Sequence, residues 1–444
     1  METFEAAVRS NIAKVKTKLD HLDIEAVARE TGIIQRTERK LSANQFLLAL
    51  LALSTGRAPT LERIAAVVQL IIGESFSKQA VSKRIGHGID QFLGRIVAGL
   101  FSELKSRSDQ KGLFSAFNRV LLQDSTTLKL PDRFRDSFPG SANQSKHTQS
   151  SMKIQLVSDL LGDRIVQLSI SGFTRNDQAA SGDILSVARE GDLILRDLGY
   201  FVTWNFKLMN ERRIFFLSRW HRGTTLIDPE TGEPIDLCKK LRKHGELDIN
   251  VLLGKKHRVA ARLVCSRVPD SVANERRRKA KAVAKKDKRY APTKEALFLM
   301  GWSIFVTNVG PDVWSREDFQ PVYRLRWRIE IIFKAWKSHL RIAELNFASE
   351  PMLRLCVMTK LLFCALTHYA CAALERLSPN TMQVSLLRMA RILNECATLI
   401  AATVLGIPPA EFLSHLIRSH AFYEHRTDRN NFNQLLANLG YSLG

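Results

Sequence analysis

Residues 318–340 read DFQPVYRLRWRIEIIFKAWKSHL. At about 100° per residue, Val322, Leu325, Ile329, Ile332, Trp336 and Leu340 fall on one side of a helix. That side is a buried face. Tyr323, Arg326, Glu330 and Lys337 are spaced three, four and seven apart and share a second face. A carboxylate set among Arg, Lys and a phenol is not needed for packing. It fits a solvated salt-bridge stripe or a functional face.

Upstream the hydrophobic period is that of strands. RVLLQD (119–124) is a short buried strand ending at Asp124, and DLILRD (192–197) is another ending at Asp197. MKIQLVSDL (152–160) and DRIVQLSIS (163–171) alternate and meet through Leu161-Gly162-Asp163, a hairpin signature. NDQAASGDILSVARE (176–190) is expected to be a helix, and RIFFLSRW (213–220) and WSIFVTNV (302–309) further strands. This order makes the chain α/β. Active groups of open α/β sheets gather at the carboxyl ends of strands. Asp124, Asp197 and Glu330 are therefore candidates to converge and hold two Mg²⁺ ions for phosphoryl transfer. Arg326 and Lys337 would offset phosphate charge. Asp159, Asp163, Asp177, Asp183 and Asp192 compete for that role and read mostly as turn or helix-start residues.

The 444 residues carry 66 Lys+Arg against 44 Asp+Glu, a net charge of +22. Such an excess asks for a polyanion, nucleic acid first and an anionic membrane surface second. Residues 239–294 alone hold 19 Lys+Arg against 5 Asp+Glu. There LDINVLLG (247–254) and HRVAARLVCSRV (257–268) read as strands, and 274–294 as an exposed basic loop or frayed helix. This window fits nucleic-acid contact or a solvated excursion. Residues 1–115 read as helical. SANQFLLALLALS (42–54), a helix opened by Thr60, the link GESF (73–76) and a helix over 77–101 suggest a helix-turn-helix. Gln79, Ser82, Lys83 and Arg84 would then face DNA, and plain helical packing is the alternative. The start of the chain has no apolar signal core, and Leu361–Leu374 is only 14 residues long and contains His368. A cytoplasmic, nucleoid-associated protein without a membrane span is expected. The six cysteines form no Cys-x-x-Cys pair, so free buried thiols are expected rather than zinc.

Tyr323-x2-Arg326-x3-Glu330-x6-Lys337 resembles the YREK signature of the insertion sequence four family of DDE transposases. Asp124-Ser-Thr resembles that family's first aspartate motif and Asp197-Leu-Gly-Tyr200 its second. The resemblance is ordered over about 120–340. It implies an RNase H-like core in 116–238 and 301–345, interrupted by a β-rich basic insertion at 239–300. Helical regions 1–115 and 346–444 would flank it, the latter available for dimerisation. It further implies Mg²⁺ (Mn²⁺ as substitute), and cleavage at terminal inverted repeats followed by joining to target DNA. A homodimer in a synaptic complex and, in many members, hairpinned ends are implied too. Trp302, 28 residues before Glu330, matches the tryptophan that stacks a flipped base, although a core aromatic on a strand is the other reading. Tyr323, Arg326, Lys337 and, ending FFLSR, Arg219 would touch phosphates. A non-catalytic DNA-binding regulator, a decayed copy and a structure-specific nuclease are the alternatives. The regulator leaves the three acids unused, and the nuclease does not need Trp302.

Overall fold

The computed structural model describes residues 22–34, 40–54, 60–85, 88–102, 112–141, 149–162, 164–286, 291–345, 347, 349–375, 382–395, 422–424 and 438–440. Among them are eleven strands. Two, β10 (Met382–Val384) and β11 (Phe422–Glu424), pair antiparallel by themselves, so the C-terminal region expected to be helical also holds a small sheet. The other nine are β1 (Val120–Lys129), β2 (Ser151–Asp159), β3 (Arg164–Gly172), β4 (Leu193–Arg196), β5 (Phe215–Arg219), β6 (Leu226–Ile227), β7 (Leu247–Leu253), β8 (Val259–Arg267) and β9 (Trp302–Thr307). They form one sheet ordered β3-β2-β1-β4-β5-β9-β8-β7-β6. β1, β4 and β5 are parallel, while β2, β3 and β9 pair antiparallel to their neighbours. The β3-β2-β1-β4-β5 half is the RNase H-like core. The basic segment does not form a layer of its own. Its β7 and β8 continue the same sheet through β9.

Alternation along the strands sends side chains to two cores. Leu122, Leu128, Ile154 and Leu156 join the core under the helices, with Phe46, Phe92, Trp314 and Ile329. Leu121, Val157, Ile194, Phe216 and Val306 join the other, with Phe206. β4 is buried along its whole length, as a central parallel strand must be. β1 is longer than expected: paired with β2, it runs on past Asp124 to Lys129.

The N-terminal helices are α1 (Ile24–Glu30), α2 (Ala43–Ala52), α3 (Leu61–Ile72), α4 (Lys78–Ile85) and α5 (Ile89–Ser102). Ser42 and Gln45 form a capping box on α2, and the Thr60 hydroxyl accepts from the Arg63 N–H at 3.2 Å to start α3. The single helix expected over 77–101 is two, because Gly88 has φ +66°. A Cβ there would stand 1.8 Å from the Thr31 carbonyl oxygen. Gly88→Ala should lower stability by roughly 1–3 kcal/mol. Gly94→Ala, inside α5 with its nearest neighbour 3.7 Å away, should not lower it. Urea denaturation of the pair checks this, and equal midpoints would remove the argument.

The remaining helices are α6 (Thr203–Glu211), α7 (Leu237–His244), α8 (Asp270–Lys286), α9 (Lys294–Leu299), α10 (Phe319–Arg324), α11 (Trp327–Ser338), α12 (Glu350–Glu375) and α13 (Leu386–Glu395). Of the basic run, residues 274–286 belong to a helix, α8, and 287–290 lie outside the described residues. The segment 176–190 is not the expected α-helix and holds only a 3₁₀ turn, Asp183–Ser186. Sheet side chains take its carbonyls instead: Gln123 donates to Ala180 O at 3.1 Å and Arg196 to Ser181 O at 3.3 Å. The helix expected over 323–340 is split. Arg326 N–H bonds to Tyr323 O at 3.2 Å and Ile329 N–H to Arg326 O at 3.2 Å, a tightened 3₁₀ turn between α10 and α11. The apolar stretch 361–374 belongs to the 26-residue α12. By length and composition Glu350–His368 could cross a membrane, yet 72% of its apolar window is buried inside the fold. Among the described cysteines, Cys238, Cys265, Cys356 and Cys364 are free buried thiols, and Cys371 is buried.

Candidate active site

The parallel register of β1 and β4 ends at Gln123 opposite Arg196. Asp124 and Asp197 are the next residue on each strand, so the two carboxylates start side by side at the end of the parallel pairing. The Arg326 guanidinium then reaches three acids: Asp124 Oδ2 at 3.3 Å, Glu330 Oε1 at 2.6 Å and Asp197 Oδ1 at 3.9 Å. The tight turn before α11 is what aims Arg326 back at the sheet edge while Glu330 follows one turn later.

Exposure grades across the cluster. The Asp124 side chain is 18% exposed, Glu330 33% and Asp197 46%. Burial pushes the Asp124 carboxyl up to about 6, with the Asp197 and Glu330 charges adding to the rise, while the Ser125 N–H and Arg326 oppose it. One guanidinium does not neutralise three carboxylates. Hard oxygen donors with excess negative charge and an open side suit Mg²⁺. Among the described residues no three His, Cys, Asp or Glu side chains are grouped closely enough to hold a metal ion; Arg326 contacts all three acids.

Tyr323 donates to Arg196 O at 3.3 Å and stands 3.5 Å from Asp197 Oδ1. Burial pushes its phenol up to about 12. Arg219 joins the cluster from β5, its guanidinium 5.2 Å from the Tyr323 ring centre. Lys337 is exposed on α11, two turns beyond Glu330, and desolvation by the surrounding protein lowers its ammonium pKa. Trp302 begins β9 at the same edge of the sheet, opposite Arg267. It is half-buried, and its ring neighbours Phe298 at 6.2 Å. Strand alternation puts it on the face opposite Phe305, whose ring packs on Tyr323 at 5.2 Å.

In the N-terminal pair α3–α4, Gln79, Ser82 and Lys83 are exposed. Arg84 is not on that outer face. Its guanidinium turns inward over Phe46 and Phe76, 5.9 and 5.8 Å from their ring centres. The competing aspartates have other employment. Asp192 pairs with Arg119, Asp183 with Arg175, Asp159 accepts the Leu161 and Gly162 N–H groups, and Asp177 pairs with Lys153. Asp163 lies outside the described residues.

Two residues escaped the sequence reading. Trp327 is 61% exposed between Arg326 and Glu330; a tryptophan on the polar stripe of 318–340 was a legible signal. Arg276 of α8 donates to the carbonyl of Trp302 at 3.1 Å, and nothing in the basic run singled it out.

A family model described as the transposase DDE domain matches residues 115–366. The transposase for insertion sequence element IS231C of Bacillus thuringiensis subsp. berliner is 27% identical over 364 residues, 76% of this chain and 75% of that protein. The transposase for IS1151 of Clostridium perfringens is 26% identical over 356 residues, covering 75% and 74%. The transposase for IS421 of Escherichia coli is 26% identical over 352 residues, covering 74% and 85%. The matched domain spans more than half of the chain and contains all three acids gathered around Arg326, so this chain belongs to the DDE transposases of insertion sequences.

Proposed function

We propose that the chain cuts and joins DNA at the ends of its own element with Asp124, Asp197 and Glu330 as catalytic carboxylates. The observation that carries this is the single guanidinium of Arg326 within 4 Å of three acids from β1, the β4 exit and α11. Like charges are gathered this closely where a cation is to be held. The acids would hold two divalent cations, Mg²⁺ or Mn²⁺, which when bound favour in-line displacement at phosphorus. Arg326 keeps the carboxylates together in the free protein and offsets their repulsion. Arg219, Tyr323 and Lys337 form a polar and cationic rim that would position backbone phosphates beside the acids.

The basic helix α8 and the exposed Gln79 and Lys83 would grip DNA away from the reacting phosphate. Arg84 serves that surface indirectly, by fixing α4 on α2. Terminal inverted repeats and target DNA would be the substrates, and a homodimer would synapse two ends. Arg276 braces the Trp302 carbonyl at the insertion's exit, and Trp302 and the exposed Trp327 offer flat faces for an unpaired base.

The test uses linear DNA carrying the gene with its native flanks, purified protein and Mg²⁺, with breaks mapped at nucleotide resolution. Breaks at two inverted repeats, absent with Glu330→Ala, support the reading; DNA binding without any break would favour a regulator or decayed copy. Trp302→Ala should leave the first nick near the parental rate and reduce hairpinned ends about tenfold, since base stacking contributes roughly 1–3 kcal/mol. Denaturing gels separate the two products, and an equal loss of both would return Trp302 to the core.

A further inference from the structure

Ser125 follows Asp124 on β1, so its hydroxyl points to the opposite face of the sheet. There it donates to Asp177 Oδ1 at 2.7 Å. The same oxygen accepts from Lys153 Nζ at 2.7 Å and from Gln155 Nε2 at 3.3 Å. Gln155 Oε1 accepts the Tyr200 hydroxyl at 2.5 Å. The other Asp177 oxygen lies over Gly199, where a Cβ would meet it at 3.2 Å. Arg196, fully buried beside Asp197, donates to Tyr200 O at 3.2 Å and to Ser181 Oγ at 2.8 Å. Ser125, Gly199 and Tyr200 are the motif neighbours of the two aspartates; the first two meet the Asp177 carboxylate directly and Tyr200 reaches it through Gln155.

We propose that Asp177 is a positioning residue that sets the spacing of Asp124 and Asp197, through Ser125 on one side and Gly199 and Tyr200 on the other. Lys153, with a side chain only 6% exposed, is its counter-charge. A buried lysine needs such a partner, so the pair locks the 174–188 segment against the sheet behind the acids. The chemistry explains the residue types. Serine supplies the donor, glycine leaves room for the carboxylate, and tyrosine orients Gln155. An acid on the far face leaves Asp124 and Asp197 free on theirs.

The inference rests on the three-carboxylate reading above, and the test separates the two. Mn²⁺ binding to the full-length protein is followed by the electron paramagnetic resonance signal of free Mn²⁺, beside thermal melting and DNA cleavage. Ser125→Ala should weaken Mn²⁺ binding and slow cleavage about tenfold, with melting near the parent, and Ser125→Thr should restore both. The double variant Asp177→Ala, Lys153→Met removes the pair without leaving a buried charge, and should lose Mn²⁺ affinity likewise. Parental Mn²⁺ affinity in both Ser125→Ala and the double variant would overturn the positioning role. Parental affinity in Asp124→Ala would instead overturn the carboxylate site itself.

Discussion

Alanine at Asp124, Asp197 or Glu330 should lower DNA cleavage by roughly 10²–10³-fold or more while leaving DNA binding intact. Removing one preorganised electrostatic contact to a developing charge commonly costs that much. On the proposed reading each acid would also be a third of the donor set for the cations. Binding should survive because the phosphate grip comes from the +22 excess, and loss of a carboxylate raises it further. End-labelled cleavage assays and gel shifts without divalent metal measure the two quantities on the same DNA. A variant that cuts at the parental rate loses its catalytic assignment; one that fails to bind points to a folding defect instead. Asp197 is the most informative of the three. At 46% exposed, it should disturb the fold least when truncated.

The largest stability loss should follow Asp192→Ala, about 3–5 kcal/mol, the usual cost of stranding one partner of a buried ion pair. Asp192 is 1% exposed at its side chain and meets Arg119 in a fork, Nε at 3.0 Å and Nη2 at 2.5 Å. It also accepts the Arg189 N–H at 2.8 Å. The pair stands at the entry of β1 and β4, where Leu193 N–H bonds to Arg119 O at 2.8 Å. It therefore sets the register that later brings Asp124 beside Asp197. Chemical denaturation measures the loss, and a cost under about 1 kcal/mol would show that water already screens the pair. Arg119→Met with Asp192→Leu should recover part of it, because no charge is then left without a partner.

Much of this site was legible one-dimensionally. The stripe Tyr323, Arg326, Glu330 and Lys337 has helical spacing, and the apolar runs before Asp124 and Asp197 read as buried strands. Both are local periodicities, which follow from backbone geometry alone. The failures are equally physical. Residues 176–190 have the composition of a helix, but their carbonyls bond to Gln123 and Arg196, partners distant in sequence. Gly88 stands just before α5 with no room for a Cβ beside the Thr31 carbonyl, again a non-local neighbour. Arg84 looked like a surface cation until Phe46 and Phe76 accepted its guanidinium.

By itself, the sequence determined the α/β class, the basic character, the motif residues and their order, since composition and short-range period carry those. Only the tertiary structure decided that Arg326 would join three acids from separate elements. The same is true of the basic segment extending the catalytic sheet and of Asp177 serving from behind it. Strand pairing and burial act between residues far apart in the chain, and no local pattern encodes which distant groups will meet.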